Sequence, residues 1–120
     1  MIASGRMNDC LFCKIVNKEI PAQIVHENEH VVAFRDIRPV TPTHVLVIPK
    51  KHIVGMHEVT RDDLVTIGEV YLAARNVAES LGLHTSGYRV VANNGPDAGQ
   101  SVFHLHVHVL GGRPMAWPPG

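Results

Sequence analysis

The chain of 120 residues has no net charge, because 11 Lys and Arg are balanced by 11 Asp and Glu. That balance excludes a nucleic-acid binder working by bulk positive charge. No apolar run approaches the roughly 18 residues that a membrane span requires. The polar stretch from Met1 to Asp9 lacks the apolar segment of a secretory signal. A flexible end is expected over residues 1–9, with Met7 available as an alternative start. These absences lead to the expectation of a cytoplasmic protein with neither membrane nor nucleic-acid partners. No internal repeat or low-complexity linker divides the chain. Its length suits one domain with a modest core, expected over residues 10–120.

Cysteine is scarce as well. The only two are Cys10 and Cys13, in Cys10-Leu11-Phe12-Cys13. A reducing cytosol disfavours a structural disulfide. A redox pair at this spacing normally follows a strand, and none precedes this one. Two readings stay open: two small buried residues, or half of a zinc site that needs two further ligands.

Histidine, by contrast, is abundant: there are 9, and His104, His106 and His108 alternate with apolar residues before Gly111-Gly112. If residues 100–112 form a strand, a side-chain period of two lines these three on one face, with Phe103, Leu105, Val107 and Val109 on the other. Imidazoles on a sheet face need partners or a task. One reading is structural, with the three simply solvated. A second is a single metal ion held by all three, but His104 and His108 would start about 13 Å apart at a rise of roughly 3.3 Å per residue. The third is catalysis, since imidazole titrates near neutrality and can attack phosphorus. The preceding loop favours the third: Gly95, Gly99, Gln100 and Ser101 offer backbone N–H groups and small side chains able to cradle phosphate.

Around this stretch the pattern is α+β. Residues 12–17 read as a short helix ended by Ile20-Pro21. Residues 23–27 and 31–34 read as a hairpin. A proline-marked loop at 36–42 leads to an apolar strand at 44–49. Residues 60–83 read as one long helix, with Thr60 as N-cap, Asp62 and Asp63 in the first turn and Gly82 at the stop. Its buried face is expected to carry Leu64, Ile67, Val70, Tyr71, Ala74, Val77, Ala78 and Leu81. A strand at 87–93, a turn-rich loop at 94–99 and the histidine run follow. The sum is about five strands in a mostly antiparallel sheet, with the helix on one face. His26, His30, His57 and His84 are expected at the surface.

His104-Leu105-His106-Val107-His108-Val109-Leu110 resembles the signature of the histidine triad (HIT) superfamily. Phe12-x-Lys14-Ile15, Glu19-Ile20-Pro21-Ala22, Ala33-Phe34-x-Asp36-Ile37, Leu46-Val47-Ile48-Pro49-Lys50, Gly99-Gln100-Ser101-Val102 and Trp117-Pro118-Pro119-Gly120 resemble its Hint branch of nucleotide-binding proteins. The resemblance runs from about Cys10 to Gly120. It implies a HIT-like fold and a homodimer that binds purine nucleotides and hydrolyses nucleoside 5′-phosphoramidates of the AMP-amine or AMP-lysine type. It implies His106 as nucleophile, His108 as phosphate contact, His44 as proton-handling support and Ser101 as hydrogen-bond partner of the phosphate or leaving group. Asn93, Gly99 and Gln100 would shape the phosphate loop. Asp36 would hold the ribose, and Phe12, Ile15, Ile20, Phe34 and Ile37 the base. Trp117 would lie near the partner subunit's site. In zinc-containing bacterial members, the positions of Cys10, Cys13, His52 and His104 bind a structural zinc ion. Alternatives are a Fhit-like dinucleoside polyphosphate hydrolase, or a nucleotide-sensing or partner-binding module with vestigial catalysis.

Overall fold

The computed structural model describes residues 9–120; residues 1–8 of the expected flexible end lie outside the described residues. The chain begins with α1 (Leu11–Val16), then β1 (Ile24–Glu27), β2 (Val31–Arg35) and β3 (Thr43–Pro49). After 3-10 turns at Met56–Glu58 and Arg61–Asp63 come α2 (Leu64–Ser80), β4 (Tyr88–Val91), a further 3-10 turn at Pro96–Ala98 and β5 (Val107–Gly111). The five strands form one sheet in the order β1-β2-β3-β5-β4, every pairing antiparallel. β3 is the central strand, as its run of apolar residues requires: six of its seven residues are buried.

The pleat divides the sheet into two unlike faces. Val31 and Ala33 of β2, Val45 and Val47 of β3, and Val107 and Val109 of β5 pack against α2. The helix meets them with Ala73, Ala74, Val77 and Ala78, whose small side chains permit close approach. Val32, Phe34, Leu46 and Ile48 point the other way and pack against Cys10, Phe12, Cys13 and Ile15 of the α1 segment. His44 and His108 share that second face.

The sequence expects one helix over 60–83 with Thr60 as N-cap, but Thr60 caps a 3-10 turn at Arg61–Asp63, and α2 itself begins at Leu64 with Asp63 as its N-cap. The Asp63 carboxylate accepts from the Thr60 N–H at 2.9 Å, closing a capping box, and Lys51 pairs with the same carboxylate. Gly82 ends it with φ +75. Its buried face is narrower than the periodicity predicts. Leu64 is 60% exposed and Tyr71 47%, and α2 packs chiefly on β2 and β3. Tyr71, Tyr88 and Val90 thus lie exposed beside the outer edge of β4.

The expected histidine strand is shorter than its alternation predicts. Regular pairing starts at Val107, whose partner is Val47. His104 and His106 lie before the strand, where Leu105 donates its N–H to the Ile53 carbonyl at 2.6 Å. The three histidines therefore do not stand in one row. His104 is drawn toward α1, and that displacement divides the motif into separate environments. No helix among the described residues is long and apolar enough to cross a membrane.

Candidate active site and metal centre

His104 is completely buried. Its Nε2–H donates to the Pro49 carbonyl at 2.8 Å. A neutral imidazole carries one proton, so Nδ1 holds a lone pair. That lone pair faces Cys10 Sγ at 3.3 Å, Cys13 Sγ at 3.5 Å and His52 Nδ1 at 3.2 Å. Cys13 Sγ lies 3.2 Å from His52 Nδ1. A tetrahedral zinc ion bound at about 2.3 Å to sulfur and about 2.0–2.1 Å to nitrogen places its donors about 3.3–3.8 Å apart. The four side chains fit such an ion in both donor type and spacing. Cys10 Sγ also accepts the Cys13 N–H at 3.4 Å, an outer hydrogen bond suited to a thiolate ligand. Without a cation, burial and the neighbouring Cys10 push the Cys13 thiol up to about 12, and burial pushes His104 down to about 4. Cys13 and His52 border an open cleft of about 460 Å³, also lined by Lys14, Glu19 and Lys50.

A second cluster lies farther along the same face. His44 Nε2 is 2.9 Å from His108 Nδ1 and 3.4 Å from Asp36 Oδ2. These three also bring ligand-type atoms within 4.8 Å of one another. Here the protons oppose a metal. The Val40 N–H donates to His44 Nδ1 at 3.1 Å, so the single proton of neutral His44 sits on Nε2 and points into the cluster. It donates to His108 Nδ1, which leaves the His108 proton on Nε2. Burial, then the proximity of His106 and His44, pushes His108 down to about 4. Burial also holds His44 below its ordinary value, partly offset by Asp36.

His106 stands between the two clusters. Its Nδ1–H donates to the His104 carbonyl at 2.7 Å, so Nε2 carries the lone pair. Burial holds His106 below its ordinary value and keeps it neutral at pH 7. Its ring meets that of Phe12 at 5.1 Å and 90°, and that of His108 at 5.1 Å.

Both His106 and His108 border a cavity of about 420 Å³, within the range usual for small-ligand sites. Of the expected nucleotide contacts, Phe12, Ile15, Phe34, Asp36, Ile37 and Ser101 also line it. Leu11, Ala22, Arg38, Leu46 and Val102 line it too, and sequence reasoning missed them. Leu11, Ala22, Leu46 and Val102 stand inside the quoted motifs, the available signal, whereas Arg38 carries none.

Other expected contacts lie elsewhere. Ile20 is half-buried against the apolar cluster that includes Phe12 and Phe34 and does not line the cavity. Trp117 is 81% exposed in the tail, which Arg89 ties to β4 by donating to the Ala116 carbonyl at 2.8 Å. Asn93 does not line the larger cavity but borders a smaller one of about 90 Å³, which His106 also lines together with Met56, Ile67 and Tyr71. The loop at 94–100 offers fewer free donors than expected. The N–H of Gly95 bonds to Gln100 Oε1, that of Gly99 to the Pro96 carbonyl and that of Gln100 to the Gly95 carbonyl. Gln100 is buried, and its amide also donates to the Val54 carbonyl at 2.8 Å. It acts as a clamp for the loop, and exposed Ser101 is the loop residue left facing the cavity.

The family model of the HIT domain matches residues 17–115. The chain belongs to the HIT family. It is 50% identical to a HIT family hydrolase of Legionella pneumophila, whose crystal structure superposes with a TM-score of 0.90 over 92% of this chain and 99% of that one. It is 49% identical to a 14 kDa zinc-binding protein of Zea mays, over 98% of this chain and 94% of the maize protein. A histidine triad nucleotide-binding protein of Candida albicans is 32% identical, with a TM-score of 0.78 over 91% of this chain and 82% of that one. The HIT fold explains the architecture expected from the motifs: five antiparallel strands, one long helix and one short one.

Proposed function

We propose that this HIT protein, of the Hint branch, hydrolyses purine nucleoside 5′-phosphoramidates of the AMP-amine or AMP-lysine type through a covalent nucleotide on His106. The observation that carries this reading is the fixed tautomer of His106, whose unprotonated Nε2 borders the same cavity as Asp36, Ser101 and the Nε2–H of His108. The HIT hydrolase and nucleotide-binding relatives support it.

In the proposed reaction the base lies against Phe12, Ile15, Phe34 and Ile37, and Asp36 accepts from the ribose hydroxyls. His106 Nε2 attacks the α-phosphorus, and the P–N bond to the amine breaks. The nucleotidylated ring then carries a positive charge, with Nδ1–H still on the His104 carbonyl. That charge makes it a good leaving group for the second step, in which water attacks phosphorus and His106 departs neutral. His108 donates Nε2–H to a phosphate oxygen, where negative charge accumulates.

The leaving amine requires a proton. A His108 imidazolium is not suited to supply it, because His108 would have to take its second proton on Nδ1, against the His44 N–H. Ser101 is better placed: exposed to water, its hydroxyl donates to the amine nitrogen and is refilled from solvent. His44 stays neutral and holds His108 in the donating tautomer.

Zinc is the ion proposed for Cys10, Cys13, His52 and His104, with the zinc-binding maize relative in support. When bound it supplies a structural cross-link rather than a Lewis acid at the phosphate. A homodimer is proposed through the exposed edge of β4, where Tyr71, Tyr88 and Val90 need cover. The tail bearing Trp117 would then reach the partner's cavity and help select the leaving group. Cytoplasmic residence remains part of the proposal.

The test compares turnover of a fluorogenic adenosine phosphoramidate and a diadenosine polyphosphate by the wild type and His106→Ala. Phosphoramidate turnover that the variant loses is expected. Equal turnover by the variant would refute the nucleophile. Preference for the polyphosphate would move the chain to the Fhit-like reading, and AMP binding without turnover to a sensing role.

A further inference from the structure

α1 is too short to be stable alone. It has six residues, whereas isolated helices below about 12–15 residues are marginal in water. Two different structures hold its two sides. Cys10, its N-cap, and Cys13 belong to the metal donor set. Leu11, Phe12 and Ile15 form part of the wall of the nucleoside cavity. No strand pairing ties the segment to the sheet. Apart from its apolar packing on Val32, Phe34, Leu46 and Ile48, the segment is tied down by the Cys2His2 cluster, so the position of one cavity wall depends in part on that cluster.

Phe12 joins the two sites directly. It is 4% exposed, and its ring meets His104, a metal donor, at 5.9 Å and His106 at 5.1 Å. It also packs edge-on to Phe34 at 5.5 Å on the opposite side of the slot. The other half of the cavity has no such dependence. Phe34 and Leu46 belong to the paired strands β2 and β3. Asp36 is anchored by its own N–H to the His44 carbonyl and by accepting the Arg38 N–H at 2.8 Å.

We infer that metal binding at Cys10, Cys13, His52 and His104 and nucleotide binding in the cavity are positively coupled through α1, with Phe12 as the positioning residue between them. This rests on the proposed nucleotide reading of the cavity. The metal-free protein keeps the sheet half of the site and binds nucleotide weakly, while the loaded protein presents both walls and binds it tightly. Reciprocity then requires the nucleotide to tighten metal binding by the same factor. A coupling of about 5- to 150-fold is the usual range for linked sites.

The test reads metal affinity rather than turnover. Zinc is titrated against a competing chromogenic chelator, which can reach Cys13 and His52 through the adjoining cleft, at increasing AMP. The expected result is at least a fivefold tightening of zinc that reaches a plateau well above the AMP dissociation constant. The effect falls toward none in Phe12→Ala at saturating AMP and is largely restored in Phe12→Leu. A zinc affinity that ignores AMP, although AMP binds the zinc-loaded protein, overturns the inference. Tightening without a plateau, tenfold for each tenfold rise in AMP, also overturns it, because the metal-free chain would then have lost the whole site rather than one wall. Failure of AMP to bind the zinc-loaded wild type overturns the nucleotide reading itself. If Phe12→Ala does not fold, the wild-type curve and Phe12→Leu decide.

Discussion

Two neighbouring clusters each gather ligand-type side chains and differ in donors, two thiols against one carboxylate, and in where their imidazole protons point. In the first, Cys10, Cys13, His52 and His104 converge. In the second, Asp36, His44 and His108 converge. Distance alone would allow a metal in either. The protons differ through the hydrogen bond on the far nitrogen. His104 donates outward to the Pro49 carbonyl, so a lone pair points in. His44 accepts from the Val40 N–H, so a proton points in. The thiols, one backbone carbonyl and one backbone amide thus separate a donor set that fits a metal from a hydrogen-bond relay. His106, between the two, donates from Nδ1 to the His104 carbonyl, which leaves its lone pair on Nε2, and it borders the cavity.

The largest effect expected on this contrast is that of His106→Ala. It should lower phosphoramidate turnover by at least about a thousandfold, as removal of a nucleophile does, and abolish any nucleotide adduct detected by mass spectrometry after acid quench. Turnover within tenfold of wild type would remove the central histidine from the chemistry.

Next comes Cys13→Ser. The purified wild type should carry one zinc per chain by elemental analysis, and the variant should lose it. With it goes a melting point lower by at least about 10 °C, since metal binding energy is folding energy. Asp36→Ala should leave zinc content unchanged. Zinc lost equally in both variants, or a second equivalent held by Asp36, His44 and His108, would erase the distinction between the clusters.

A smaller loss is expected of His44→Leu, which removes the donor to His108 Nδ1. His108 is then free to change tautomer, and kcat should fall about 10- to 100-fold with KM little changed. A change in KM alone would make His44 a binding residue.

The mildest prediction concerns acid stability. His108 titrates at about 4 in the folded protein against an ordinary 6.5. The unfolded chain therefore binds this proton first, so the stability is fully present above about pH 6.5 and is lost as pH falls toward 4. Urea midpoints measured across that window should decline, and decline less in His108→Asn. An equal slope in both proteins would place the acid sensitivity elsewhere.

Much of this arrangement is legible in the residues. The hairpin, the central strand and the capped helix follow from apolar period, proline and Thr60. The candidate metal donors, Asp36 and the apolar slot are named by the resemblance, and the structure brings the four donors together and sets Asp36, Phe12, Ile15, Phe34 and Ile37 around one cavity. Strict alternation misleads at His104, because a long-range pull toward Cys10 and Cys13 outweighs local strand preference. It also places Leu64 and Tyr71 inward, since helix period marks an apolar face without saying how far the sheet extends beneath it. Gln100 as a loop clamp and Val40 as the amide that fixes His44 leave no pattern at all. Both act through hydrogen bonds set by the folded backbone, and a backbone amide is the same in every non-proline residue.

On the proposed mechanism, hydrogen bonds assign His106 its unprotonated Nε2 before any ligand arrives. Long-range 15N–1H correlation of the histidine rings at pH 7 tests it most directly. The account predicts His106 neutral with its proton on Nδ1, and His44 and His108 neutral with theirs on Nε2. A His106 ring that is protonated on Nε2, or that carries both protons at neutral pH, would contradict it.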